Sequence, residues 1–473
     1  KKLWYLLQKN VHPAHIVYVA EFLSYVLRLI IHLIFEEKKI SLFNIENKWH
    51  IDFMIDLEKE QTQKPKAFLV GEPNTSLKEL EGLVDTLGME VVESFVLQRL
   101  DPEPKYGIGT GKANDIAYFA KEAEADCIIF DFELSPTKQR NWEKLADIPV
   151  FDRQEVIIRI FGQRAKTKEA MLQVELAKLQ YSLPRLAHSY GEMSRQRGGS
   201  YGSKGSGETQ LELDRRGVEA RIHIIKQELK KVIKERETMR KRRERTPVPT
   251  CALVGYTNAG KSSLLNSLTG AEAFVEDRLF ATLDPTTRKL QLKDGGSVLL
   301  TDTVGFISNL PHTLIDAFKS TLEEASRSDL LLIVLDCSDQ NVLSQYETVM
   351  NVLAETGAGE KEKIIVLNKI DKISDDNLIL KSLENEFPSA IKVSAKEKTG
   401  FLELAETINE KLLGPVKTFK LPLDRSDLVS LIRKTGVLYK EEWLEDHILV
   451  EGRLGGVIES SQRTLRLVEE AKL

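Results

Sequence analysis

Cysteine is scarce in this chain. Its three cysteines, Cys127, Cys251 and Cys337, sit inside apolar, strand-like runs without paired spacing. That excludes a disulfide framework, offers no zinc ligand set, and fits buried thiols in a reducing cytosol. Charge of one sign is lacking too: a formal charge of −5 over 473 residues creates no global field, so a partner must be read from local charge. A clean membrane span is also missing. The run Ile16 to Phe35 is long enough, yet it carries Glu21, Arg28 and His32, and its apolar residues fit one broad helical face. A packed or surface-lying helix is favoured there over a crossing one, with peripheral membrane contact as the minority reading. The chain starts at Lys1 rather than Met, so its true start is expected upstream.

What the chain does have is a phosphate-binding spacing. Gly255-Tyr256-Thr257-Asn258-Ala259-Gly260-Lys261-Ser262 matches G-x-x-x-x-G-K-[ST] between the apolar run Thr250 to Val254 and the stretch Ser263 to Leu268, so strand, glycine loop and helix are expected in order. Such a loop turns successive N–H groups and a helix N-terminus toward an anion, with Lys261 reaching the β/γ-phosphates and Ser262 a Mg²⁺. Alone, the pattern also describes a glycine turn before an ordinary helix.

Later stretches supply the other parts that a purine triphosphate needs. Asp302-Thr303-Val304-Gly305 closes the apolar strand Ser297 to Thr301, so Asp302 approaches Mg²⁺ through water and the Gly305 N–H meets the γ-phosphate. Asn368-Lys369-Ile370-Asp371 closes the strand Lys363 to Leu367. A carboxylate there accepts from guanine N1–H and the exocyclic amine together, which adenine does not offer, so guanine is the expected base. Ser394-Ala395-Lys396 then closes over the guanine carbonyl with backbone N–H groups. The ordered set resembles that of translation-factor-related GTPases, with Lys261, Thr282, Asp302 and Gly305 as catalytic candidates.

Upstream, from Lys66, strands alternate with helices: strand Ala67 to Val70, helix Ser76 to Leu87 with a Ser76/Glu79 capping box, strand Val91 to Leu97, helix Ala113 to Glu124, strand Asp126 to Phe130 and helix Pro136 to Leu145. A small parallel α/β domain ending near Arg164 is expected. Within it, Gly107-Ile108-Gly109-Thr110-Gly111-Lys112 opens a helix. Either it is a second nucleotide or RNA-phosphate loop, or its glycines serve only the turn; it lacks the phosphate-loop spacing, which favours the turn.

Leu172, Leu176, Leu179 and Leu183, and later Val218, Ile222, Ile225, Leu229 and Val232, give two narrow apolar seams that predict an antiparallel coiled hairpin. Between them Gly191 to Glu208 holds six glycines with Arg195, Arg197 and Lys204, near Tyr190 and Tyr201. So glycine-dense a stretch has no core of its own; it reads as a linker or as a probe that orders on folded RNA. The second arm continues into Arg240, Lys241, Arg242 and Arg243. From Arg215 to Arg245 there are thirteen Lys/Arg against five Glu, an excess that favours nucleic-acid phosphate over a merely solvated face.

The combination resembles the HflX family, ribosome-associated GTPases of the Obg-HflX group. The residues that carry the resemblance are Gln173 to Ala177, the glycine loop, Gly207 to Glu212 with Asp214-Arg215-Arg216, Gly255 to Ser262, Phe280-Ala281-Thr282-Leu283-Asp284-Pro285-Thr286, and Asp302 to Phe306, within about residues 66 to 415. The resemblance implies a monomeric cytoplasmic factor that binds the large ribosomal subunit and its rRNA near the peptidyl-transferase centre and, with GTP, separates stalled or idle ribosomes. It also implies a nucleotide site that extends over Ser263, Phe280 and Ala281. Thr282, rather than Thr286 or Thr287, would join Mg²⁺ and the γ-phosphate, and Asn258 is the candidate K⁺ ligand or else a turn former. Phe306 stands where Ras-like enzymes carry a water-orienting glutamine, so slow intrinsic hydrolysis is expected.

After Leu413-Gly414-Pro415 the pattern changes to strand Thr418 to Leu423, helix Asp424 to Lys434 and strands Val437 to Trp443 and His447 to Leu454, a small α+β unit of ferredoxin-like type. The expected fold is therefore multidomain α/β. It comprises an extension over 1–65, an HflX-type parallel α/β domain over 66–165, the hairpin over 166–246 with its loop at 191–208, the P-loop GTPase domain over 247–414 and the α+β domain over 415–473. The competing reading is a membrane-associated GTPase switch that acts on a protein partner, with residues 16–35 as anchor.

Overall fold

The structure, a computed structural model, describes residues 64–99, 105–189, 206–243, 248–270, 279–292, 296–308, 324–374 and 378–471. The run Ile16 to Phe35 and the cations Arg195, Arg197 and Lys204 lie outside them. Most described residues belong to one compact unit, Pro65–Ser182 with Val218–Leu473. Among the described residues no helix is long and apolar enough to cross a membrane.

This unit begins with a four-stranded parallel sheet, order β2-β1-β3-β4, built from β1 (Lys66–Gly71), β2 (Glu90–Val96), β3 (Cys127–Phe130) and β4 (Val150–Asp152). The inner strands are continuous apolar runs because helices cover both faces of a parallel sheet; Ala67 to Val70 and Cys127 to Phe130 are completely buried. Helix α1 spans Lys78–Thr86, two residues later than the Ser76 start predicted, and it carries no side-chain cap. Glu79 has left the capping box for the buried guanidinium of Arg153, a charge-assisted partner stronger than a backbone N–H. Helix α2 (Thr110–Glu122) starts three residues earlier than expected, after Gly109, and α3 follows at Pro136–Ala146. Helix α4 (Arg153–Arg164) has no counterpart among the predicted elements. Its signal is present, though: Asp152 caps it by accepting from Glu155 N at 2.9 Å, at the spacing of a capping box.

Helices α5 (Lys168–Ser189) and α6 (Ser206–Arg243) form the hairpin. The helical start at Ser206 corrects the expected loop, whose last three residues are helix. Leu172, Leu176, Ile225 and Leu229 are buried together, with Leu179, Ile222 and Val232 packed against them. Arg221 pairs with Glu175 and Arg236 with Glu169, so one chain ascends as the other descends.

Next comes a six-stranded sheet, order β10-β9-β8-β5-β7-β6, comprising β5 (Thr250–Gly255), β6 (Thr286–Gln291), β7 (Ser297–Asp302), β8 (Leu330–Asp336), β9 (Lys363–Asn368) and β10 (Ile391–Lys392). Only the β6–β7 pair is antiparallel. Helices α7 (Lys261–Thr269), α8 (Val342–Glu355), α9 (Leu378–Glu386) and α10 (Phe401–Leu413) complete it. Beyond it, β11 (Val416–Leu421), α11 (Ser426–Thr435), β12 (Val437–Trp443), β13 (Ile448–Arg453) and α12 (Glu459–Glu470) form an antiparallel sheet with β13 in the middle. This is the ferredoxin-like order short of its last strand. Buried Arg453 fastens it to the preceding domain, donating to Gly414 O at 3.1 Å and to Glu406 at 2.8 Å.

Candidate functional site

The site grows from the ends of β5, β7 and β9 on the central sheet. β5 is apolar and fully buried from Cys251 to Val254, which fixes where its loop emerges. Asn258 (φ 59°) and Gly260 (φ 89°) are left-handed, and a Cβ at 260 would come 2.3 Å from Asn368 Nδ2, so only glycine fits there. The chain then enters α7, whose first-turn N–H groups at Lys261, Ser262 and Ser263 have no carbonyl within the helix. Lys261 is 6% exposed; its ammonium donates to Gly255 O at 3.1 Å and Tyr256 O at 2.8 Å. Burial pulls its pKa down to about 8, partly offset by Asp302.

Ser262 Oγ donates to Asp302 Oδ2 at 2.6 Å and Thr282 Oγ1 to the same atom at 2.9 Å, the two hydroxyls lying 2.8 Å apart. Asp302 is 1% exposed, its pKa is raised by burial, and Oδ1 has no hydrogen-bond partner among the described residues. Two hydroxyls and a buried carboxylate with an unpaired oxygen are hard oxygen donors that fit Mg²⁺, held directly or through water. Thr286 and Thr287 instead lie on β6, where Thr287 Oγ1 meets Thr301 Oγ1 at 2.9 Å. A Cβ on Gly305 would stand 2.8 Å from Thr257 Cα, so this peptide lies directly against the phosphate loop.

A cleft is lined by Thr257, Asn258, Gly260, Lys261, Ser262, Ser263, Phe280, Ala281, Thr282, Thr303 and Gly305. Tyr256, Ala259, Val304 and Asp302 are not in its wall. The base-end group is assembled separately. Asn368 donates to Ala259 O at 2.8 Å and accepts from Ala395 N at 3.1 Å, which makes it a joint between two loops. Asp371 accepts from Ser394 Oγ at 2.6 Å, and Lys369 (φ 65°) pairs with Asp336 at 2.7 Å. Lys396 is exposed.

The remaining predicted residues are dispersed. Arg240, Lys241, Arg242 and Arg243 occupy the last turn of α6. Gly107 is left-handed at φ 80°, Gly109 precedes α2, Gly111 lies in its first turn, and the Lys112 ammonium is held 4.7 Å over the Phe95 ring.

Sequence reasoning missed a polar cluster behind the phosphate loop. Arg153, 4% exposed, donates to Asp131 at 2.6 Å, to Ser308 O at 3.1 Å and Ser308 Oγ at 3.3 Å, and to Glu79. Glu79 also accepts from the hydroxyls of Tyr256 and Ser308, and Ser308 N donates to Tyr256 Oη at 2.6 Å. Burial disfavours the Arg153 charge, but Glu79 and Asp131 outweigh it and raise its pKa; burial and Glu79 raise that of Tyr256. Phe161 of α4 meets Phe280 edge-on at 4.7 Å. Asp284 accepts from Lys166 N and Thr167 N, both at 3.2 Å, and from Thr167 Oγ1.

A phosphate loop leaving the middle of a parallel sheet, an Asp-x-x-Gly at the next strand and an Asn-Lys-x-Asp at the far side define a P-loop GTPase. Family models agree along the chain: a GTP-binding GTPase N-terminal region at 74–162, a GTP-binding GTPase middle region at 164–243 and a 50S ribosome-binding GTPase at 250–369. GTPase HflX of Akkermansia muciniphila is 47% identical, covering 85% of this chain and 97% of its own length. GTPase HflX of Escherichia coli (strain K12) is 43% identical over 78% of this chain and 87% of its own. Among solved structures, the SsGBP and GDP complex is 28% identical over 74% of this chain and 98% of its own, with a TM-score of 0.43. The chain belongs to the HflX GTPase family, and it is a GTP hydrolase.

Proposed function

We propose that this chain binds the large ribosomal subunit, through rRNA near the peptidyl-transferase centre, and uses GTP to dissociate stalled or idle ribosomes in the cytoplasm. One observation carries the reading. Asp284, two residues beyond Thr282, is hydrogen-bonded to the residues that open α5, the first helix of the hairpin. A loop whose order depends on γ-phosphate and Mg²⁺ is thereby coupled to the arm that leads to residues 191–205. The matching 50S ribosome-binding family supports the partner, and the basic excess of α6 supports phosphate contact by Arg240, Lys241, Arg242 and Arg243.

In this reading Lys261 and the first-turn N–H groups of α7 hold the phosphates, while Gly305 N–H meets the γ-phosphate. Ser262 and Thr282 would hold Mg²⁺ directly and Asp302 would hold it through water. When bound, that ion neutralises charge on the β- and γ-phosphates. Asp371 selects guanine, Asn368 and Lys369 frame it, and the loop Ser394 to Lys396 closes over it. Exposed Asn258 would be the K⁺ ligand.

Co-sedimentation of the full chain with purified large subunits tests the proposal, followed by gradient profiles of intact ribosomes with GTP. Stronger pelleting with a non-hydrolysable GTP analogue than with GDP, and conversion of ribosomes to free subunits, are expected. Flotation with liposomes in place of nucleotide-dependent pelleting would instead support a membrane-associated switch.

A further inference from the structure

Hydrolysis needs a polar group to hold water in line with the γ-phosphate, and Phe306 supplies none. It is 3% exposed and outside the cavity wall, and its backbone is bonded to Gly255 O and Thr257 N. The polar side chains in the wall can be sorted by their existing bonds. Lys261 holds two loop carbonyls, Ser262 and Thr282 meet Asp302, and Thr303 Oγ1 donates to Leu253 O at 2.7 Å. Asn258 is exposed.

Thr257 differs from all of these. It is 7% exposed, and its Oγ1 is the one buried hydroxyl without a hydrogen-bond partner among the described residues. A buried hydroxyl without a partner is unfavourable, and a ligand that bonds it removes the penalty. Its position fits such a role. The point where a Gly305 Cβ would lie is 2.9 Å from Thr257 Cγ2 and 3.0 Å from Lys261 Nζ, so Thr257, Gly305 and Lys261 converge on one end of the cavity.

We propose that Thr257 is a catalytic residue whose hydroxyl orients the attacking water against the γ-phosphate. The inference rests on residues 255–262 being the phosphate loop. The hydroxyl accepts from the water and donates to a γ-phosphoryl oxygen. The water oxygen forms the new bond to phosphorus, and the bridging P–O bond breaks with its electron pair leaving on GDP. One water proton passes to a phosphoryl oxygen and the other stays on the new hydroxyl, giving inorganic phosphate and leaving Thr257 unchanged.

Single-turnover hydrolysis by the full chain tests this, alongside affinity for a fluorescent non-hydrolysable GTP analogue. Thr257→Val keeps the methyl beside Gly305 and removes the hydroxyl; the rate falls at least about tenfold while analogue affinity stays within about twofold. Thr257→Ser keeps the hydroxyl and removes the methyl, and restores the rate to within about threefold. The reverse order, a silent valine and a slow serine, overturns the proposal and makes Thr257 a packing contact for Gly305. Lys261→Ala, measured in parallel, loses analogue affinity; if it binds normally, the phosphate-loop reading has failed rather than the role of Thr257.

Discussion

At the proposed base end of the site, Asn368, Asp371, Ser394 and Ala395 bond to one another and to the phosphate loop, all inside one sheet domain. At the phosphate end, Tyr256 and Ser308 are bonded across to Glu79 and Arg153 of the first sheet domain, and Asp284 to the start of α5. The two ends are thus suited to different work. Specificity for a base calls for fixed acceptors that do not depend on the rest of the chain, whereas a γ-phosphate signal is useful only if it leaves the domain that binds it.

The largest expected effect comes from breaking the cross-domain cluster. Arg153→Met leaves Glu79 and Asp131 without their common cation, a loss of about 3–5 kcal/mol for a partner removed from a buried pair. Thermal or denaturant unfolding measures it. Adding Glu79→Gln should return part of the stability, because one uncompensated charge is gone. A single variant within about 0.5 kcal/mol of the unaltered chain would show that the cluster does not join the two domains energetically.

Asp371→Asn acts at the other end. An amide there cannot accept from both guanine donors, so GTP affinity should drop on the order of 100-fold while xanthosine triphosphate gains, with hydrolysis of the latter at a normal rate. Unchanged GTP affinity would sink the assignment. Loss of the hydrolysis rate with the matched nucleotide would blur the separation of the two ends.

The same contrast explains what could be read from sequence. The motifs of the nucleotide site are contiguous stretches at strand ends, because each must turn a few consecutive backbone and side-chain groups toward one ligand. The cluster behind them joins Glu79, Asp131, Arg153, Tyr256 and Ser308, residues that only the packing of two sheets brings together. Glu79 was even misleading, since Ser76-x-x-Glu79 has the spacing of a capping box. Helix α12 escaped although its amphipathic pattern is present: Val468 is buried with Leu465 packed on the same core, beside buried Ser461 and Thr464, the latter held by Thr435 Oγ1 at 2.9 Å.

The smallest effect on stability should come from Asp284, yet it tests the comparison most directly. Its carboxylate takes two backbone N–H groups and the Thr167 hydroxyl, while Thr167 Oγ1 in turn accepts from Ala170 N at 3.1 Å at the start of α5. Asp284→Ala removes all three contacts, and these lie on exposed backbone where water can replace them, so roughly 1 kcal/mol of stability is at stake. Thr167→Val removes only the hydroxyl contact and the cap, and should cost less in coupling because both N–H bonds to Asp284 remain. Neither residue is in the cavity wall, so nucleotide affinity of the isolated chain should stay within about threefold. What should change is the difference between GTP-analogue and GDP in binding to large subunits, lost with Asp284→Ala and reduced with Thr167→Val. If Asp284→Ala keeps the full nucleotide dependence, the coupling runs instead through Ser308 and Arg153, and the stability and subunit-binding measurements on Arg153→Met should then fall together.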